Sequence, residues 1–372
     1  MPKETLSICM IVDGHYPSIG GAEMQARSII KKLAANGHVI NVVSLGLDKA
    51  QPVYDTVDDV PVYRIKYPHV KFLASMIMLS KSAIAIFKHR KSDVIHIHIT
   101  GYMAFLVGVL KWCIESRTFT KVSGAYEFDG GLLDIINRQK TSKRFFNYFI
   151  KKVDFIQCIS QETQRNMLKL GYQKEKLLNI PNGVDTEKFY PKKKQVSDVI
   201  NVVYIGRLRP YKGIEYLLEA WALITGYVKV KLTIVGGGEY GRYLEELCLE
   251  KNISESVEFV GFVEDVLPYY ELADIYVQPS LNEGLPNSVL EAMSCGLPIV
   301  ATRVSGSEDI VEDEVNGFLV EAKDSNSLSE GLKELILDND KRMRFGKESR
   351  EFIVENYSID KVVASLIEEY CA

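Results

Sequence analysis

The sequence predicts an α/β protein of two doubly wound parallel-sheet domains facing each other across a cleft. Three observations carry that expectation. Apolar runs with strand character alternate with amphipathic stretches from end to end. The same grammar restarts near residue 199, and a polar stretch with two prolines, "PNGVDTEKFYPKKKQVSD", separates the halves and reads as a linker. The 372 residues suffice for two full cores, and 47% hydrophobic with 25% charged is ordinary for a soluble globular chain.

The first half opens on a strand, "LSICMIV", then a glycine turn, "SIGGAE", a helix, "MQARSIIKKLAANG", and a second strand, "HVINVVSL". Gly20 and Gly21 either let backbone approach a ligand closely at that helix start or simply make the turn, and Gly37 suits its stop. "DVIHIHI", "FTKVSG" and "FIQCIS" read as later strands. His96 and His98 alternate on the first of these, so both point to one face, with His98 nearer the carboxyl end where ligands bind. The second half reads strand "VINVVYIG", helix "GIEYLLEAWALI", strand "VKLTIVGG", helix "RYLEELCLEKN" and strand "VEFVGF". "ADIYVQPS" and "LPIVAT" are strands around the helix "NSVLEAMSC". Pro286 suits the first position of that helix and Gly296 its end.

Two loops carry chemistry. Arg207, Arg209 and Lys212 precede a helix start near Gly213, where positive charge opposes the helix dipole. A phosphate bound there would offset that cost. Glu283 and Glu291 flank the start of the helix "NSVLEAMSC". An anion held between two carboxylates is sensible only if the ligand also carries hydroxyls for them to accept from. "GGGEYG" at 236–241 matches G-x-G-x-x-G, but it follows the second strand of its domain, so a nicotinamide or flavin site is disfavoured. "DND" at 338–340 reads as a solvated turn, and no metal-ligand spacing occurs elsewhere.

Bulk properties narrow the partners. A formal net charge of −4 argues against nucleic acid. Six singly scattered cysteines read as reduced thiols of a cytoplasmic protein, and neither a signal peptide nor a spanning segment is expected. Residues 137–152, "NRQKTSKRFFNYFIKK", hold six cations, no acids and five bulky apolar side chains. That is either an amphipathic element for an anionic membrane surface or a helix whose aromatics enter the core.

Seven motifs in order, "SIGGAEMQ", "IPNGVDTEKFYP", "YIGRLRPYKG", "IVGGGE", "VGFVEDVLPYYELADIYVQPS", "NEGLPNSVLEAMSCGLPIVAT" and "SGSEDIVEDEVNGFLV", resemble glycosyltransferase family 4. The resemblance implies the GT-B architecture. Its domains would be 1–184 on the acceptor side, joined by a crossover helix at about 357–372, and 185–356 binding the donor. It implies a retaining transfer with no metal or other cofactor. Arg207 and Lys212 would neutralise the donor diphosphate and its leaving group, while Glu283 would contact the transferred sugar and, with them, form the catalytic set. Glu291 would accept ribose hydroxyls, the amides of Gly284 and Leu285 would approach the sugar or phosphates, and Phe262 and Val263 would meet the base. Gly21, beside Gly20, would come close to the diphosphate from the first domain.

One departure stands out. Many relatives carry a histidine after the strand corresponding to "FTKVSG", where this chain reads "KVSGAYEFDGG". Ser123, Tyr126 or Glu127, or else His98, are left to make the sugar or acceptor contact. The expected function is transfer of a hexosyl unit, from a UDP-sugar by preference, to a glycan acceptor that is free or lipid-linked, in cell-surface glycan synthesis at the cytoplasmic face of the membrane. The alternatives are a non-catalytic nucleotide-sugar-binding subunit and, less favoured, a sugar-nucleotide epimerase of the same fold.

Overall fold

Two sheets, each built from runs rich in Val and Ile, organise the chain. The computed structural model describes residues 5–18, 20–46, 51–67, 71–128, 131, 133–134, 141–193, 198–224 and 229–372, which fall into two units. One comprises Met1–Gly183 with Ile359–Ala372; the other is Val184–Ser358.

Among the described residues the first unit holds β1 (Ser7–His15), β2 (Val39–Gly46), β3 (Tyr54–Val57), β4 (Val60–Lys66), β5 (Val94–His98), β6 (Arg117–Val122), β7 (Phe155–Cys158) and β8 (Leu177–Asn179). Their order is β3-β4-β2-β1-β5-β6-β7-β8. Every neighbouring pair is parallel except β3 and β4, which form an antiparallel edge hairpin and so depart from a purely parallel sheet. The turn between them is Asp58-Asp59, with φ of 49° and 62°, the doubled positive φ of a two-residue hairpin loop. Helices Gly21–Ala35 and Ile359–Cys371 cover one face over Ile8, Met10, Val363 and Leu366. The final helix is further tied by an ion pair between Lys32 and Asp360. Helices Lys71–Lys88, Tyr102–Leu110 and Thr141–Ile150 lie side by side over Ile11, Ile97 and Val107.

In the second unit β9 (Ile200–Ile205), β10 (Val230–Val235), β11 (Val257–Gly261), β12 (Ile275–Gln278), β13 (Ile299–Thr302) and β14 (Gly317–Val320) form a fully parallel sheet. The order β11-β10-β9-β12-β13-β14 places β9 between its sequence successor β10 and the later β12. That is a switch point, where the chain leaves neighbouring strand ends in opposite directions and opens a crevice at their carboxyl ends. The loops after β9 and β12 are therefore neighbours in space although about 70 residues apart.

The polar stretch expected to be a linker is packed, not free, over Asp185–Lys193. Arg350 donates to the carbonyls of Phe189 and Thr186 at 2.8 and 3.0 Å, and Ser294 Oγ donates to that of Phe189 at 2.6 Å. Phe189 itself is buried, so this segment is anchored onto the second unit.

Candidate active site

The site begins with Gly213. After β9 the chain makes a single 3₁₀ turn, Pro210–Lys212, before the helix Ile214–Ala222 starts. Gly213, between them, has φ of 62° and ψ of 25°, a left-handed conformation natural to glycine. A Cβ built on it would stand 2.2 Å from the carbonyl oxygen of Pro279. Backbone thus abuts backbone, and Leu281 N–H donates to Tyr211 C=O at 2.8 Å across the same junction. The two loops are clamped together, which brings Lys212 to Glu283.

Lys212 Nζ lies 2.5 Å from Glu283 Oε1, both side chains being largely buried. Gln278 Nε2 and Ser280 Oγ reach the same oxygen, each at 2.6 Å. Three donors on one oxygen fix the carboxylate's orientation, and none of these bonds uses Oε2. Behind them the network is anchored in the core. Tyr276 OH donates to Gln278 Oε1 at 2.7 Å, and Thr302 Oγ1 donates to the carbonyl of Ser280. Strand alternation explains the placement, since Tyr276 and Gln278 are two apart on β12 and share a face. Gln278 and Ser280, which hold the Glu283 carboxylate, were not expected from sequence; the signal was polar residues at period two ending the apolar run "IYVQPS".

Arg207 sits in the same loop as Lys212, exposed and, among the described residues, without an ion-pair partner. Arg209, by contrast, is turned to Glu239 at 2.6 Å. The helix Asn287–Ser294 has no side-chain cap, and Pro286 is its N-cap, one residue earlier than the expected first helical position. Gly284 and Leu285 lie directly against the helix Ser305–Glu308: a Cβ at Gly306 would be 2.0 Å from the Gly284 carbonyl oxygen. Glu291, half-buried on the helix Asn287–Ser294, accepts from Tyr270 OH at 2.9 Å. Burial pushes its pKa up to about 7, against the opposing pull of the Tyr270 hydrogen bond and the Lys188 charge. A carboxylate held so high readily gains from hydroxyl donors, since each would favour its charged form.

The glycine-rich turn "GGGEYG" is explained by packing. A Cβ at Gly236 would stand 1.9 Å from the Gly206 carbonyl oxygen, and one at Gly238 would be 2.1 Å from that of Leu208. The close approach that these glycines permit is thus made by the Arg207 loop, supported further by Leu208 N–H donating to Gly237 C=O at 3.0 Å. Phe262, at the end of β11, is 62% exposed beside this turn, with half-buried Val263 next to it. Arg207, Lys212, Glu283, Gly284, Leu285, Glu291, Phe262 and Val263 all belong to the loops at the carboxyl ends of β9, β11 and β12 or to the helix Asn287–Ser294 that follows β12.

In the first unit Gly20 is the N-cap of the helix Gly21–Ala35, and the Glu23 carboxylate folds back against it, 2.0 Å from where a Gly20 Cβ would lie. A negative side chain in the first turn complements the helix dipole. His98 is sealed in the sheet at 1% exposure, its ring stacked on His96 with centroids 4.8 Å apart. Burial depresses its pKa well below the ordinary histidine range, with the His96 and Lys121 charges adding to the effect. Glu127 is also buried, its Oε1 accepting from Ser123 N–H at 2.7 Å. Burial raises the Glu127 pKa to about 7 against the pull of its backbone hydrogen bonds, and burial lowers that of Lys121, on β6, to about 7 against the charge of Glu127. The Ser123 hydroxyl has no hydrogen-bond partner among the described residues. Tyr126 lies outside the residues whose side chains are described. Among the described residues no group of three or more His, Cys, Asp or Glu stands together as a metal site.

The chain is thus two doubly wound sheets, one with a cation–carboxylate pair at its switch point. The comparisons place it more narrowly. Residues 19–188 match the model for glycosyltransferase family 4 and residues 185–352 that for glycosyl transferases group 1. The chain belongs to this family and is a transferase. It is 27% identical to an uncharacterized glycosyltransferase of Methanocaldococcus jannaschii, over 98% of each chain. It is 22% identical to N-acetyl-alpha-D-glucosaminyl L-malate synthase of Bacillus anthracis, over 94% of this chain and 93% of that one. In fold it resembles Anabaena HepE in complex with UDP, with a TM-score of 0.80 at 19% identity over 98% and 99% of the two chains.

Proposed function

We propose that this enzyme transfers a hexosyl unit from a UDP-sugar to a glycan acceptor with retention of anomeric configuration. The observation that carries the reading is the Lys212–Glu283 pair, held by Gln278 and Ser280 beside the exposed Arg207 at the switch point. A nucleotide sugar is an anionic centre with a hydroxyl-bearing ring on each side, and the loops at these strand ends offer two cations and two carboxylates. UDP is favoured as the nucleotide because HepE, of the same fold, is seen with it.

In this reading Arg207 and Lys212 take the charge that develops on the diphosphate as the glycosidic bond breaks, and no metal is called for. Lys212 has three N–H donors, so it can keep Glu283 while engaging a phosphate oxygen. Glu283 Oε2 faces the hydroxyls of the departing sugar, and Glu291 accepts from the ribose. Phe262 and Val263 border the base, and the amides of Gly284 and Leu285 approach the sugar or the phosphates. The acceptor, lipid-linked in this proposal, is bound by the first unit, whose loops differ most from the family pattern.

The test is release of UDP from UDP-hexoses by wild type and by Glu283→Gln, with UDP affinity measured on the same samples. The variant is expected to lose turnover by about 10²-fold or more while UDP affinity changes little. Equal turnover in the two proteins would remove Glu283 from the reaction.

A further inference from the structure

The three helices on one face of the first unit, Lys71–Lys88, Tyr102–Leu110 and Thr141–Ile150, contain Lys and Arg but no Asp or Glu. Residues 75–92, 102–114 and 143–153 contain nine Lys and Arg and no Asp or Glu, in a protein whose net charge is −4. Two of the nine are paired with acids from neighbouring segments, Lys91 with Glu115 at 3.9 Å and Lys111 with Asp154. The same helices hold large apolar side chains out to solvent. Met76, Ile84 and Phe87 are exposed on the first, Phe145 and Tyr148 on the third, and Trp112 is 85% exposed just after the second. The aromatics are braced as well as exposed: Phe105 of the middle helix packs on Phe145, Phe146 and Phe149 with centroids 4.7–5.9 Å apart. Part of the amphipathic segment expected from sequence therefore does enter the core, and part does not.

We infer that this three-helix face docks on an anionic lipid surface, with Trp112, Phe145 and Tyr148 seated among the headgroups and the cations over lipid phosphates. Charge complementarity selects the partner. A nucleic acid would meet the cations but gain nothing from exposed Met76 and Ile84, whereas an interfacial bed of acyl chains beneath anionic headgroups satisfies both kinds of side chain. Tyr and Trp, with an apolar body and a polar tip, suit that boundary. Among the described residues no helix is long and apolar enough to cross a membrane, so the contact is one of lying on the surface. The inference deepens the proposed function by naming where a lipid-linked acceptor would be met. Its test makes no use of the reaction, so either can fail alone.

The chain has two tryptophans, and Trp221 is fully buried with its indole N–H donating to Ser256 Oγ at 3.0 Å. A change of emission on adding lipid therefore reports Trp112. Phosphatidylcholine vesicles with and without phosphatidylglycerol are titrated into the full-length protein at low and high salt. The expected result is a blue shift and co-sedimentation with the anionic vesicles only, reversed by salt. Arg144→Glu combined with Lys152→Glu is expected to weaken binding by about 25-fold or more, taking roughly a fivefold factor for each basic residue lost. Both positions are exposed, so unchanged thermal unfolding certifies the fold of that variant. Absence of co-sedimentation at low salt, an unshifted Trp112 emission, or a shift that follows protein concentration instead of lipid, as for pairing of two copies, would each overturn the inference.

Discussion

Gly213→Ala tests how the site is assembled. At φ of 62° an alanine is strained by roughly 1–2 kcal/mol. Its Cβ would also lie 2.2 Å from the Pro279 carbonyl oxygen, so one of the two clamped loops has to yield by about 1 Å. Overpacking of that kind costs about 1–3 kcal/mol more. Gly261 is the matched control, because it has φ of 80° and no atom within 4 Å of a built Cβ. Denaturation of the second unit, followed by the emission of its core residue Trp221, is expected to show a loss of about 1–2 kcal/mol in Gly261→Ala and about 2–5 kcal/mol in Gly213→Ala. The same displacement separates Lys212 from Glu283, and a misplacement near 1 Å is expected to lower kcat/KM by about 10²-fold in the Gly213 variant. Equal destabilisation of the two variants, with wild-type turnover in Gly213→Ala, would refute the clamp as the cause of the Lys212–Glu283 pair.

Other expectations follow from the same geometry. Lys212→Met leaves Glu283 with two of its three donors and the diphosphate with one cation fewer, so kcat is expected to drop by about 10²–10³-fold in steady-state assays. If Glu291, with a pKa pushed up to about 7, binds ribose as the carboxylate as proposed, UDP affinity is expected to be full above pH 7 and to fall as pH drops below it; calorimetry on Glu291→Gln should show that slope abolished. The stability sign is opposite. A carboxyl raised in the fold favours folding most below its unfolded value near 4.5, and that contribution is lost progressively as pH rises from there through about 7, so the stability of Glu291→Gln relative to wild type should be higher at pH 8 than at pH 4. Gly236→Ala drives a Cβ into the Gly206 carbonyl and should lower UDP affinity and unit stability together, with no effect of NAD on either protein in thermal shift.

Much of the second unit was legible because its signals are local. The period of the apolar runs, Gly296 at a helix end and charged residues on strand-to-helix loops each depend on neighbours within a few positions. What escaped was set by tertiary contact. Gly213 looks like an ordinary helix start until Pro279 is found against it, and Gly236 and Gly238 mimic a dinucleotide turn until the Arg207 loop is found lying on them. Gln278 and Ser280 gain meaning only from Glu283 arriving beside them. The hairpin of β3 and β4 is marked in sequence only by Asp58-Asp59 between two valine-bearing runs, without the glycine that usually signals such a turn. His98 illustrates the reverse limit: alternation fixed which face it shares with His96, yet burial on a central strand is decided by the neighbours β1 and β6.

The donor assignment is tested most directly by titrating UDP into wild type and Glu291→Ala by calorimetry, with GDP, ADP and NAD run in parallel. The assignment predicts that UDP binds wild type, that NAD does not, and that the variant loses roughly tenfold or more in affinity, as expected for hydrogen bonds to a charged group. Equal UDP affinity in the two proteins, or binding of NAD alone, would contradict it.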